Sequence, residues 1–151
     1  MPAVISDTSC LIFLAKIGQL DLLPALFEQI WLPPAVVAEY SRPLPAWTVV
    51  AQNAVLPSPA QVPERFGLGE RSAIGLALMK ADCVLIIDDK EPKRIAQALG
   101  ISCIGTLGIL KLAKEAGHVT AIRPLIYQLR TVAGMWLTDA VAERVCRDAD
   151  E

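Results

Sequence analysis

A chain of 151 residues, 54% hydrophobic with a mean hydropathy of +0.45, is the size of one domain and unusually apolar for a protein that meets water. Its formal net charge of −2 and pI near 5.4 exclude capture of a polyanion by bulk positive charge, so any nucleic acid would need a local basic patch, a metal or a partner's charge. Lys16, Lys80 and Asp82 interrupt the longest apolar stretches before the ~18 residues that a membrane-spanning helix needs. The N-terminus shows no basic region followed by an apolar one, so no signal peptide is expected. Cys10, Cys83, Cys103 and Cys146 form no C-x-x-C pair and lie in or beside apolar segments. They read as small buried hydrophobes in a reducing, cytoplasmic setting.

In chain order, Val4-Ile5 reads as a short buried strand that ends on Asp7. Leu11 to Lys16 opens a helix broken at Gly18, and Leu20, Leu23, Leu26 and Phe27 recur at helical spacing. Ile30-Trp31-Leu32 is a brief strand stopped by Pro33-Pro34, after which Pro34 to Tyr40 reads as a short helix carrying Glu39. From Arg42 to Pro63 prolines punctuate an irregular excursion, with one strand expected around Val55-Leu56. Gly67-Leu68-Gly69 then leads into Glu70 and a helix whose apolar face is Ala73, Ile74, Ala77 and Leu78.

Cys83 to Ile87 is the clearest strand, and it runs straight into Asp88-Asp89. Pro92 opens a helix with Gly100 as its stop, Ser102-Cys103-Ile104 is a short strand, and the helix after Gly105-Thr106 ends near Gly117. Two helices close the chain, one over roughly Ala121 to Arg130 and one capped by Thr138. Strands alternating with helices predict a parallel α/β sheet in a single domain. The closing helices, with no strand between them, are expected to cover an edge or a partner.

Two strands that end on acids suggest a shared crevice, because ligands of open α/β sheets sit at the carboxyl ends of the strands. Asp7, Glu39, Glu70 and Asp88-Asp89 are the candidates for holding a divalent metal, since Mg²⁺ and Mn²⁺ prefer hard oxygen ligands. Each acid also has a plain structural role open to it: Asp7 and Asp88, like Ser9, as helix caps, Glu70 at a helix N-terminus, and Glu39 as a solvated side chain. Lys90, Lys93 and Arg94 follow the acidic pair closely enough to meet a phosphate backbone, or to form a solvated helix face. Gly67-Leu68-Gly69 lacks the Lys-Ser/Thr of a phosphate-binding loop. His118, the one histidine, sits beside Gly117 and reads as a helix-end residue. Ser6 and Ser9 have no partner histidine in view, and 5% aromatic residues offer no stacking platform for bases.

Taken in order, Asp7-Thr8-Ser9-Cys10-Leu11-Ile12, Pro33 to Glu39, Gly69 to Ala77, Ile87-Asp88-Asp89-Lys90 and Gly105 to Gly108 resemble the PIN-like domain family. The resemblance is closest to its compact prokaryotic branch, similar to VapC-type ribonuclease toxins, and it spans nearly the whole chain. It implies a three-layer α/β/α sandwich and a Mg²⁺- or Mn²⁺-dependent endoribonuclease that hydrolyses an RNA phosphodiester with metal-activated water. By position it assigns metal binding and catalysis to Asp7, Glu39, Glu70 and Asp89, leaves Asp88 as an alternative to its neighbour, and makes Ser9 a polar support. It further implies a homodimer and a small antitoxin partner. Ser72 stands where relatives often carry a further acid, and Pro92-Lys93 where Ala-Arg is more usual. The rival expectations are a catalytically silent interaction module that keeps the acidic pocket, and a receiver-like or phosphatase-like domain. The latter would want D-x-D where this chain has Asp7-Thr8-Ser9.

Overall fold

A computed structural model describes residues 2–151, which form five strands and eight helices. The strands are β1 (Ala3–Ser6), β2 (Ile30–Leu32), β3 (Thr48–Val50), β4 (Cys83–Ile86) and β5 (Ser102–Ile104). The helices are α1 (Thr8–Lys16), α2 (Leu22–Leu26), α3 (Pro34–Tyr40), α4 (Leu68–Leu78), α5 (Lys90–Ala98), α6 (Thr106–Glu115), α7 (Arg123–Thr131) and α8 (Asp139–Asp148). The sheet is parallel throughout, in the order β3-β2-β1-β4-β5. The chain therefore winds outward from β1 to β3, returns through α4, and winds the other way through β4 and β5. Between β1 and β4 the winding reverses, and the helices that follow the two strands leave in opposite directions. A crevice opens at such a switch point, at the carboxyl ends of the strands.

Strand alternation divides the interior into two cores. Val4 and Ile86 face one side with Leu14, Leu23, Val36, Ile109, Leu125 and Cys146, drawn from α1, α2, α3, α6, α7 and α8. Ile5, Leu85 and Ile87 face the other side with Ala73, Ile74 and Ala77 of α4 and Ala96 of α5. This is the expected three-layer α/β/α sandwich, and covering both faces accounts for the high apolar content. The closing helices join the first core through Leu125, Ile126, Leu129, Ala142 and Cys146 rather than capping a sheet edge. Thr138 caps α8 as expected, its hydroxyl accepting from the Val141 N–H at 3.2 Å.

One expected strand is misplaced. The excursion pairs with β2 through Thr48-Val49-Val50 in register with Ile30-Trp31-Leu32, and Val55-Leu56 lies exposed outside the sheet. The run Thr-Val-Val has the β-branched side chains that suit a pleated edge. Val55 instead presents its carbonyl oxygen to α4 at Gly75, so closely that a side chain there would collide with it. The helix expected to run from Leu20 to Phe27 forms only over α2, five residues long.

Candidate active site

β1 and β4 lie in register with Ser6 opposite Ile86, and the Asp7 N–H extends the pairing by donating to the Ile86 carbonyl at 3.0 Å. Asp7 therefore leaves the sheet beside the residues that lead into Asp88-Asp89. Its backbone sits at the N-cap position of α1, yet its side chain caps nothing. Asp7 is 1% exposed, and both carboxylate oxygens are buried with no hydrogen-bond partner among the described residues. A buried, unpaired carboxylate is costly, and the group answers by holding its proton. Burial first, then the charges of Asp88, Glu70 and Asp89, push the Asp7 carboxyl well above its usual range. The Cys10 N–H faces it and offsets a small part of this without closing a hydrogen bond.

Glu70 stands in the first turn of α4, its Oε2 also buried and unpartnered among the described residues. Burial first, then the neighbouring Asp89 carboxyl, raise it to about 7. Asp88 is held from the other side. The Thr106 N–H and hydroxyl donate to its two oxygens, each at 2.7 Å, at the start of α6. Burial nevertheless raises Asp88, against those bonds and the nearby Lys93 ammonium. Gly105 makes this arrangement possible, because a methyl group there would lie 2.9 Å from Asp88 Oδ1 and 3.5 Å from Lys93 Nζ.

Glu39, on α3, reaches the same rim from the flank. The Thr8 hydroxyl donates to its Oε2 at 2.7 Å and the Gly69 N–H to its Oε1 at 2.9 Å, so it bridges the starts of α1 and α4. Its charge contributes to the elevation of Glu70. All five acids thus share one edge of the sheet, and none forms an ion pair among the described residues. The half-buried Ser9 has no side-chain hydrogen bond to an acid among the described residues; Thr8, one residue earlier, makes that contact. Thr8 and Thr106 are the residues that sequence reasoning missed as carboxylate anchors. Each is a hydroxyl at the first position of a helix that follows a strand, which is the signal that marks them.

Lys90 and Lys93 line a groove of about 760 Å³ that begins at Asp88 and Asp89, whereas Arg94 is exposed on α5 outside it. His118 is exposed beyond the C-terminal end of α6, and the acids gather at that helix's N-terminal end, about 15 Å away at 1.5 Å per residue. The four cysteines are free, and burial and neighbouring acids push the Cys10 thiol well up, away from reactivity.

The chemistry of this donor set suits a hard divalent cation. Oxygen ligands are abundant, mutually repelling and, at Asp7 and Glu70, short of any partner. Among the described residues no three Asp, Glu, His or Cys side chains already stand as a finished coordination shell. Thr106 and the pair Thr8–Gly69 hold Asp88 and Glu39 in place. Mg²⁺ needs only one or two carboxylates and keeps several waters, so a partial shell is compatible with it.

A parallel α/β sheet with acids gathered at its switch point places oxygen donors where ligands of open α/β folds bind. The PIN domain family model matches residues 3–151, and the chain belongs to that family, whose fold is a nuclease-type fold. No curated protein and no solved structure matches the chain. No helix among the described residues is long and apolar enough to cross a membrane.

Proposed function

We propose that this protein is a Mg²⁺- or Mn²⁺-dependent endoribonuclease. The observation that carries the reading is the buried Asp7 carboxylate, unpartnered and surrounded by Glu70, Asp88 and Asp89. Asp7, Glu70 and Asp89 would hold the cation, with Asp88 beside Asp7 and Glu39 on the flank. When bound, such an ion lowers the pKa of a coordinated water and neutralises charge on the phosphoryl oxygens. The chain's own residues do the rest. Thr106 fixes the Asp88 carboxylate, Thr8 and Gly69 fix Glu39, and β1 and β4 hold the two strand-end acids at one rim. Lys90 and Lys93 stand where the groove leaves that rim and offset the repulsion that a phosphate backbone would meet.

On the resemblance of its sequence motifs to VapC-type toxins, we extend the proposal to the toxin component of a toxin–antitoxin pair, a homodimer inhibited by a small antitoxin protein. Exposed Leu78 and Met79 at the end of α4, with Val55 and Leu56, supply apolar surface for a second copy. Cleavage of a single-stranded RNA pool in Mg²⁺ or Mn²⁺ tests the enzyme. Asp89 is exposed, so Asp89→Asn keeps the fold; it should lose at least about 100-fold in rate, a loss typical of removing one transition-state charge contact. Equal cleavage by parent and variant would overturn the reading.

A further inference from the structure

The groove that starts at Asp88 and Asp89 continues away from the acids as an apolar trough. Leu107 and Val141 line it, together with Met135, Trp136 and Leu137 from the connection between α7 and α8. Trp136 is 86% exposed, the most exposed large hydrophobic side chain among the described residues. The connection that carries it is firmly held. Met135 and Leu137 pack against the core on either side, and the Met135 N–H donates to the Leu129 carbonyl at 2.8 Å. Arg130 donates to the Leu137 carbonyl at 2.9 Å and to Asp139 at 2.8 Å. Met135 and Leu137 are half-buried against the core, and the indole between them is displayed to solvent. At 86% exposure the indole contributes little burial to the fold, and it stands on the groove wall where the flat apolar face of a ligand would meet it.

Resting on the ribonuclease reading above, we propose that Trp136 is a substrate-positioning residue on which one base of a single-stranded RNA stacks while the adjoining phosphate meets Lys93 and Lys90. Charge and shape select this occupant. One wall of the groove carries two ammonium groups next to the acidic rim, and the other end is apolar and flanked by a flat aromatic face. A nucleotide has that same pairing of anionic phosphate and apolar π-face. The volume of about 760 Å³ lies within the range of roughly 300–1,000 Å³ in which small-molecule ligands are held. Stacking on one indole tolerates every base, so the platform positions the strand without setting a sequence. One indole at the groove is sufficient for this, although the 5% aromatic content suggested no platform.

The test uses the full chain, Ca²⁺ in place of Mg²⁺ to hold off cleavage, and a single-stranded RNA of about ten nucleotides. Trp136 emission should be quenched on binding, a signal lost in Trp136→Ala. That variant should bind about tenfold more weakly, and Trp136→Phe should stay within about threefold of the parent. A series of oligonucleotides, each with one abasic position, should contain one that parent and Trp136→Ala bind equally. Because the indole is exposed, neither substitution disturbs the core. If Trp136→Ala binds as tightly as the parent, the platform is overturned and the ribonuclease reading stands. If the parent binds no RNA, both fall. If Trp136→Ala changes the oligomeric state and leaves RNA affinity unchanged, the indole belongs to a contact between copies and the proposal is likewise overturned.

Discussion

Replacing Asp7 by Asn isolates the electrostatic cost stored at the sheet edge. The substitution keeps the shape of a side chain that is 1% exposed and removes a charge that no partner compensates. Because burial and the neighbouring acids raise its carboxyl, the folded chain keeps a proton that the unfolded chain, with an ordinary value of 3.8, has released. This contribution to stability is complete below 3.8 and is lost as pH climbs through the raised native value. At pH 8 the parent carries a cost of ionisation that Asn, which cannot ionise, escapes, and that relief is worth about 1–3 kcal/mol. For a chain of this length each kcal/mol shifts Tm by about 2–4 °C, so Asp7→Asn should melt roughly 2–12 °C higher at pH 8 without metal. Near pH 4 the two should converge. Mn²⁺ at about 100 times its Kd should add about 2.7 kcal/mol to the parent and much less to the variant. Differential scanning calorimetry at both pH values, with and without Mn²⁺, reads all four quantities. A variant no more stable than the parent at pH 8, or one that responds equally to Mn²⁺, would refute the argument that Asp7 is a strained, cation-seeking carboxylate.

The Glu70 carboxyl is raised from 4.5 to about 7, so the parent should lose stability as pH rises across that window, on the order of 1–2 kcal/mol once solvent screening is allowed for. Glu70→Gln should flatten the slope, checked by urea denaturation at half-unit pH steps. Gly69→Ala places a methyl group against the Glu39 carboxylate and should force it off the Gly69 N–H. The lost charged hydrogen bond outweighs the gain of Ala over Gly in a helix, leaving a net loss of about 1 kcal/mol in urea denaturation.

Much of this molecule was legible from local pattern. Cys83 to Ile87 is apolar without interruption, as a strand buried on both faces must be, and Pro34 to Tyr40 begins on the residue that favours a first helical turn. The excursion was not legible, because Thr48-Val49-Val50 and Val55-Leu56 have nearly equal strand propensity. Only the backbone of β2 decides which of them finds a partner.

The amino-acid order by itself determined that acids would follow two buried strands, since the period of hydrophobicity and the abrupt change to Asp lie within a few neighbouring residues. It could not say which hydroxyls would grip which carboxylates. Thr8 meets Glu39 from 31 residues away and Thr106 meets Asp88 from 18. Those contacts exist because β1 and β4 became neighbours and their helices began at one edge. Isolation of the Asp7 carboxylate is likewise a tertiary property: its partners in repulsion come from two other segments of the chain, and only their packing together removes the water that would have solvated it.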